Sequence, residues 1–152
     1  MDAQPNAAAL AGAKRLLEQG IAFVKNAGLE VEHLARGTVR CRMPFVGNGN
    51  HIGTMYAGAL FTLAEIPGGA LFLSSFDTAR FFPIVKALNL KFIKPAKGDI
   101  WTTATLSAEE ITRIEQDATA NGKAEFALNL ELKDADGVVV AVSEGLYQLR
   151  RI

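Results

Sequence analysis

Hydrophobic residues follow two different periodicities in the first third of this chain. In residues 7–26 they recur at helical spacing, and Gly28 follows as a stop signal. In residues 38–45 they alternate with polar residues, which is typical of a strand with one buried face. Residues 47–50 read Gly-Asn-Gly-Asn and predict a loop. The pattern therefore predicts a helix followed by two short strands and a loop.

The segment 55–75 is apolar on every side, which predicts a buried helix. Pro67 lies within it and cannot donate a hydrogen bond to the carbonyl of Leu63. The sequence therefore predicts a kink or a break at Pro67.

The remainder of the chain predicts four strands, at residues 88–93, 99–107, 124–132 and 138–147. Residues 134–137, Asp-Ala-Asp-Gly, predict a hairpin turn between the last two. Four strands in hairpin-compatible succession form a mostly antiparallel sheet, and the buried helix would cover one face of it. We therefore expect an α+β fold in which a sheet wraps one central helix. We expect a single domain over residues 1–152, with residues 1–27 as an N-terminal helical extension.

Composition bears on nucleic-acid binding, on metal binding and on the location of the protein. Lys and Arg total 16 and Asp and Glu total 16, which argues against a general nucleic-acid binder. Cys41 is the only cysteine, and with His33 and His51 it makes no recognisable ligand spacing, so we expect no metal site. Residues 1–5 lack the cationic start of a signal peptide. We expect a soluble cytoplasmic protein with no membrane span.

Glu65 is the only charged residue between His51 and Asp77. A carboxylate in such a segment is paired, exposed at a helix margin, or kept for chemistry, because burying it alone costs several kcal/mol. Residues three, four and seven positions away share its helix face; these are Gly58, Phe61, Thr62, Gly68 and Gly69. The glycines would leave room for a ligand or would allow close packing on the sheet, and the sequence leaves both open.

The start of the same helix is a second candidate site. The first N–H groups of a helix have no internal partners and carry partial positive charge, so they can hold a developing oxyanion. Tyr56, Ala57 and Gly58 lie there. Alternatively, Asn50 or Thr54 caps these groups, and the sequence leaves the two roles open.

Together these residues resemble a known signature. The pattern Asn50-x-x-Gly53-Thr54-x-Tyr56-Ala57-Gly58-Ala59-x-x-Thr62-Leu63-x-Glu65 is similar to that of hotdog-fold acyl-CoA thioesterases of the 4-hydroxybenzoyl-CoA and phenylacetate-pathway type. The strand from Leu88 to Asp99 resembles the family's next landmark, and the order of elements matches from about residue 28 to residue 149.

The resemblance implies a hotdog fold and roles for individual residues. Asn50 and the Ala57 N–H would bind the thioester carbonyl, and Glu65 would be the catalytic carboxylate. The expected substrate-binding residues are Tyr56, Gly58, Thr62, Gly53, Lys86 and Asn89. Two positions depart from the family: Tyr56 replaces its histidine, and Val85 stands where some branches have a serine or threonine that orients water.

The resemblance also implies a homo-oligomer, a dimer or a dimer of dimers, with each site between two subunits. Helix geometry leads independently to two chains. Ala57 and Glu65 are eight residues apart, which places their backbones about 12 Å apart along a helix axis. The glutamate side chain recovers roughly 4–5 Å of this, so both groups cannot engage one thioester carbon within one chain.

The sequence therefore predicts an acyl-CoA thioesterase, with coenzyme A as part of the substrate and no further cofactor. Glu65 would act as a general base or as a nucleophile, and both remain open. The alternative is a non-catalytic module of the same fold that binds acyl-CoA or lipid. A double-bond hydratase is a third alternative, although the Asp/His motif of that branch is not visible. Lys91, Lys94, Lys97, Arg150 and Arg151 either bind the phosphates of coenzyme A or form a solvated face.

Overall fold

The computed structural model describes residues 5–152, so four of the five residues considered for a signal peptide lie outside the described residues. In chain order the elements are α1 (Ala7–Gln19), α2 (Ala22–Ala27), β1 (Glu30–Ala35), β2 (Thr38–Met43), α3 (Ala57–Ser75), β3 (Phe81–Phe92), β4 (Ile100–Thr105), α4 (Ala108–Asn121), β5 (Lys123–Lys133) and β6 (Val139–Arg151). That the chain forms a single domain stays a prediction.

The strands form one six-stranded sheet in the order β1-β2-β4-β5-β6-β3, and every neighbouring pair is antiparallel. The helix α3 packs against this sheet, and its side chains form the centre of the hydrophobic core. The predicted arrangement, an antiparallel sheet wrapped around one long helix, is confirmed. Since β3 lies at the end of the order, one of its edges has no partner in the described part of the chain.

The helix α3 is uninterrupted from Ala57 to Ser75, so the break, one of the two outcomes predicted at Pro67, does not occur, and the kink stays a prediction. Pro67 is buried, and Leu63 and Leu71 on either side of it are fully buried. Tertiary packing of this apolar segment therefore outweighs the hydrogen bond that proline removes. By length and composition α3 is the one helix in residues 5–152 that could cross a membrane, but most of it is buried inside the fold.

The N-terminal helix is divided in two. The first helix ends at Gly20, and the second begins after Ile21. Gly28 ends the second helix with φ 77°, a left-handed conformation that favours glycine, so the predicted stop is confirmed. The predicted hairpin turn also forms, with the Gly137 N–H donating to the Asp134 carbonyl at 3.0 Å.

The predicted succession of four strands is wrong between β4 and β5, because α4 lies there. Ser107 caps this helix through a capping box with Glu110, and Gly122 ends it with φ 81°. Its apolar face buries Ile111 and Ile114. Along the chain the helix connects β4 to β5, which are neighbours in the sheet and share one registered pair in the described residues, Trp101 with Lys133.

Candidate active site

Asn50 organises the loop that leads into α3. Its side-chain Oδ1 accepts hydrogen bonds from the N–H groups of Ile52 at 3.0 Å and Thr54 at 3.1 Å, and its Nδ2 donates to the Thr54 hydroxyl at 2.9 Å. Both ends of the amide are therefore committed to the loop. The residue that precedes the first turn of α3 is Tyr56, whose side chain makes no cap hydrogen bond, so neither Asn50 nor Thr54 caps the helix.

The first turn of α3 presents two free donors. The Ala59 N–H donates to the Tyr56 carbonyl at 3.0 Å, as expected one turn into a helix. Over residues 5–152, the N–H groups of Ala57 and Gly58 have no hydrogen-bond acceptor. Donors of this kind carry the positive end of the helix dipole and are suited to a carbonyl oxygen that gains negative charge.

A cavity of about 340 Å³ lies beside these donors. Asn50, Thr54, Ala57 and Leu60 line one side of it, and the end of β3 with the residues that follow, Phe92, Ile93 and Lys94, lines the other. The structure thus brings the predicted residues Asn50 and Ala57 to one pocket. Ile93 and Lys94 also line the pocket. For Lys94 the sequence left two possibilities open, phosphate binding or a solvated face, and it assigned no pocket position to Ile93.

Glu65 lies two turns further along α3. Its side chain is half-buried, and its carboxylate has no hydrogen bond or ion pair with any described residue. Desolvation by burial raises the pKa of this carboxyl above its ordinary value. The Tyr147 hydroxyl donates to the backbone carbonyl of Glu65 at 3.4 Å and leaves the carboxylate itself free.

The sequence leaves open whether the glycines near Glu65 make room for a ligand or allow close packing on the sheet, and the structure shows one case of each. A Cβ atom at Gly68 would overlap the buried ring of Tyr147, so Gly68 allows close packing. A Cβ atom at Gly69 would meet nothing within 4 Å, so Gly69 leaves open space one turn from the carboxylate. At Gly58 a Cβ atom would meet the ring of Tyr56, which lies over the first turn of α3.

Other predicted substrate-binding residues are placed differently. The Thr62 side chain is buried, and its hydroxyl donates to the Gly58 carbonyl at 2.8 Å. Gly53 lies in the loop before α3 with φ 83°, a left-handed conformation that glycine adopts without strain. Their roles in substrate binding stay predictions.

Lys86 and Asn89 lie on the sheet face opposite α3. Asn89 is in register with Glu144 of β6, so the two side chains lie on the same face of the sheet. Tyr147 faces α3 and is three residues from Glu144, so Glu144 and Asn89 lie on the other face. A bulge at Lys86 sends its ammonium to Glu125, at 2.6 Å. The structure therefore does not bring these two side chains to Glu65 of the same chain, and their roles stay predictions.

The distance between the two candidate groups follows from the continuity of α3. Because the helix is unbroken from Ala57 through Glu65, their backbones are about 12 Å apart along its axis. Within one chain, the two free N–H donors at the start of α3 and the Glu65 carboxylate therefore do not converge on one atom.

Comparison with known proteins gives the family. Residues 11–147 match the family described as "Domain of unknown function (DUF4442)". The chain is 57% identical to a Pseudomonas aeruginosa protein of unknown function, described as a probable thioesterase, whose crystal structure matches with a TM-score of 0.93 over 98% of this chain and 99% of that one. No curated protein matches.

More distant solved structures share the fold. A Chlorobaculum tepidum protein of unknown function is 18% identical, with a TM-score of 0.82 over 98% of both chains. A Haemophilus influenzae thioesterase is 13% identical, with a TM-score of 0.74 over 97% of this chain and 94% of that one. The chain has the hotdog fold and belongs to the DUF4442 family, which is thioesterase-like.

Proposed function

We propose that this protein is a thioester hydrolase that acts on acyl-CoA at a site shared by two subunits. The observation that carries the proposal is the state of Glu65, a half-buried carboxylate with a raised pKa and no partner in the described chain, on the helix whose first N–H groups are also free. A perturbed acid in such a position is a candidate catalytic group.

The reaction needs two parts of α3, its first turn and Glu65 in its middle. The free N–H groups of Ala57 and Gly58 bind the thioester carbonyl oxygen and hold the negative charge that develops on it. In one route the carboxylate of Glu65 takes a proton from water while the water oxygen bonds to the carbonyl carbon. In the other route the carboxylate oxygen attacks the carbon itself and forms an anhydride, which water then hydrolyses. In both routes the C–S bond breaks, and coenzyme A leaves as a thiolate that takes up a proton.

A second copy of the chain would bring the first turn of one α3 helix close to Glu65 of the other. The strand β3 is an edge strand, and long apolar edges in soluble proteins are normally covered. Large apolar side chains are exposed along this strand and on the open side of α3; they are Phe61, Phe82, Val85 and Phe92. A partner packed here would cover them and place its Glu65 opposite the Ala57 N–H of the first chain.

The cavity suggests how coenzyme A enters. Lys94 lies on its wall and has no ion pair within the described part of the chain, so its ammonium is available to phosphates at the rim. The thioester would then lie deeper, near Ala57 and the loop that Asn50 holds. A complex with coenzyme A bound away from residues 47–58 would contradict this orientation.

A non-catalytic acyl-CoA-binding module is the second candidate, and Val85 favours it. Val85 is in register with Tyr147, so it lies on the α3 side of the sheet, where it offers no hydroxyl to orient water. The two candidates are separated by a turnover screen over acyl-CoAs of different chain length and aromaticity, run beside equilibrium binding. Hydrolysis of at least one substrate supports the hydrolase, whereas binding without hydrolysis supports the module.

Subunit mixing tests whether the site is shared. Ala57→Pro removes the N–H group of the first helical residue, where proline is well tolerated, and Tyr56 has φ −58° and ψ 137°, which suits a residue before proline. We expect this variant and Glu65→Gln each to lose at least ~10²-fold in rate as homodimers.

Mixed dimers of the two variants would contain one intact site, formed by the normal Ala57 of one chain and the normal Glu65 of the other. Random exchange makes half of the dimers mixed, with one of two sites intact. The mixture should therefore recover up to about a quarter of the wild-type rate. No recovery, despite subunit exchange shown by a mass tag, would place both groups of one site in one chain.

A further inference from the structure

We propose that Tyr147 is a positioning residue for the Glu65 carboxylate, because its ring and its hydroxyl hold the turn of α3 that carries Glu65. Tyr147 lies on β6 and acts through Glu65 rather than on the reacting atoms. This inference rests on the proposed function. It adds a residue without which the carboxylate would be present but misplaced.

The place of the Glu65 carboxylate depends on its backbone. No described residue forms a hydrogen bond or an ion pair with this side chain. A carboxylate that no other side chain holds is directed by the helix turn to which it is attached, so movement of the turn moves the carboxylate. Since misplacement of a reacting group by about 1 Å can lower a rate by about 10²-fold, this turn must be held in place.

The turn that carries Glu65 is the part of α3 whose own sequence supports a helix least. Pro67 has no N–H group to offer the Leu63 carbonyl, and Gly68 and Gly69 follow it directly. Glycine and proline are the two residues least favourable to a helix interior. The helix is nevertheless continuous through this turn, so contacts from outside the helix support it.

The Tyr147 ring is the outside contact that the structure shows at this turn. The ring lies between α3 and β6 in a slot that two glycines leave open, because a Cβ atom at Gly68 or at Gly145 would overlap it. Phe126 on the neighbouring strand stacks on the ring, with centroids 5.6 Å apart and planes 18° apart. Tyr147 is 2% exposed. The ring is therefore fixed by the sheet and fixes in turn the helix at Gly68.

The Tyr147 hydroxyl adds a contact at Glu65 itself. It donates to the Glu65 backbone carbonyl at 3.4 Å, which is long for a hydroxyl donor, so we assign most of the support to the ring and a smaller share to the hydroxyl. Burial, and after it the charge of Glu65, raise the pKa of the Tyr147 phenol. The phenol therefore stays protonated, and able to donate, at neutral pH.

Steady-state kinetics with two substitutions at Tyr147 test the inference. Tyr147→Phe removes the hydroxyl and keeps the ring, whereas Tyr147→Leu removes the ring as well. We expect kcat to fall roughly threefold in the first and at least ~10-fold in the second, because the carboxylate acts only in the transition state. KM should stay near the wild-type value in both. A rise in KM with an unchanged kcat would place Tyr147 in substrate binding and would overturn the inference.

Phe81→Leu is the matched control, because it also replaces a fully buried aromatic ring with leucine. Phe81 is in register with Arg151 at one end of β3, four residues from Val85, which is the partner of Tyr147 across the sheet. Melting curves should show that Phe81→Leu and Tyr147→Leu both lose stability, and kcat should fall only in the second. An equal loss of kcat in Phe81→Leu would trace the effect to general loss of packing and would overturn the inference.

A double substitution tests whether Tyr147 acts through Glu65. Tyr147→Leu added to Glu65→Gln should not lower the residual rate further, whereas a further loss as large as that in wild type would overturn the inference. If Tyr147→Leu does not fold, Tyr147→Phe decides, and a normal kcat in that variant overturns the inference. Folded Tyr147 variants with normal kcat, beside a slow Glu65→Gln, would overturn this inference alone. Wild-type protein that hydrolyses no acyl-CoA would overturn the proposed function and this inference with it.

Discussion

Glu65 on the helix α3 and Asp99 before the strand β4 are carboxylates whose surroundings shift their pKa values in opposite directions. Asp99 accepts a hydrogen bond from the Phe45 N–H at 2.8 Å and forms an ion pair with Arg42. These two donors, the backbone N–H first, lower the pKa of Asp99 below its ordinary value. Glu65 has neither kind of donor in residues 5–152, and burial raises its pKa.

Burial and hydrogen-bond donors together explain the difference. The side chain of Asp99 is 32% exposed and lies within reach of Arg42, which also pairs with Glu30 at 2.6 Å. Glu65 is desolvated by burial, which raises its pKa, and no donor among the described residues offsets this effect. Asp99 therefore holds the ends of strands together, whereas the Glu65 carboxylate has no partner among the described residues.

The largest effect expected from this comparison is on catalysis. Glu65→Gln should lower the rate of thioester hydrolysis by at least ~10²-fold, because it removes the base or nucleophile and keeps the shape of the side chain. Asp99→Asn is the matched control and should keep a rate close to that of wild type. Initial rates with the best substrate of the turnover screen measure both. Normal turnover by Glu65→Gln would show that Glu65 is neither the base nor the nucleophile.

The pH dependence of the wild-type rate sharpens the same prediction. Since the Glu65 carboxylate must be ionised to act and burial raises its pKa, the rate should rise with pH through a pKa above the ordinary glutamate value. A rate that is already maximal below the ordinary glutamate pKa would show that another group limits the reaction.

A smaller effect is expected on stability at Asp99. Asp99→Asn should lower the free energy of unfolding by about 1 kcal/mol at neutral pH, because the charge-assisted bonds to Arg42 and Phe45 weaken. A carboxyl with a lowered pKa stabilises the fold above its unfolded-state pKa, and this contribution is lost as pH falls through its folded-state pKa. The difference between variant and wild type should therefore shrink in acid. Urea unfolding at a series of pH values measures it, and a difference that is constant with pH would contradict the ionic origin.

Much of the fold could be predicted because its signals are local. Alternation in residues 124–132 predicts a strand, and the apolar segment 55–75 predicts the central helix, which the structure has as β5 and α3. The helix α4 was missed although Ser107 and Glu110 form a capping box, because its exposed side is polar and only a narrow face with Ile111 is buried. The sequence predicted a kink or a break at Pro67, and the break does not occur because packing of the whole segment outweighs one local rule.

The site was predictable only in part. An isolated charge such as Glu65 can be recognised in a sequence, because it contrasts with its neighbours along the chain. The side of the sheet on which Lys86 lies depends on a bulge in β3, and a bulge has no strong local signal here.

The smallest expected effect is on stability at Glu65, and it has the opposite sign to that at Asp99. Because the pKa of Glu65 is raised in the folded protein, the ionised carboxylate opposes folding, and its cost grows as pH rises from the unfolded-state pKa to the folded-state pKa. Glu65→Gln should therefore be slightly more stable than wild type at neutral pH, by well under ~1 kcal/mol since water reaches the half-buried side chain. The gain should vanish in acid, where Glu65 is protonated in both states. Urea unfolding at matched pH values checks this, and a variant less stable than wild type at neutral pH would show that Glu65 is held by a partner, as Asp99 is.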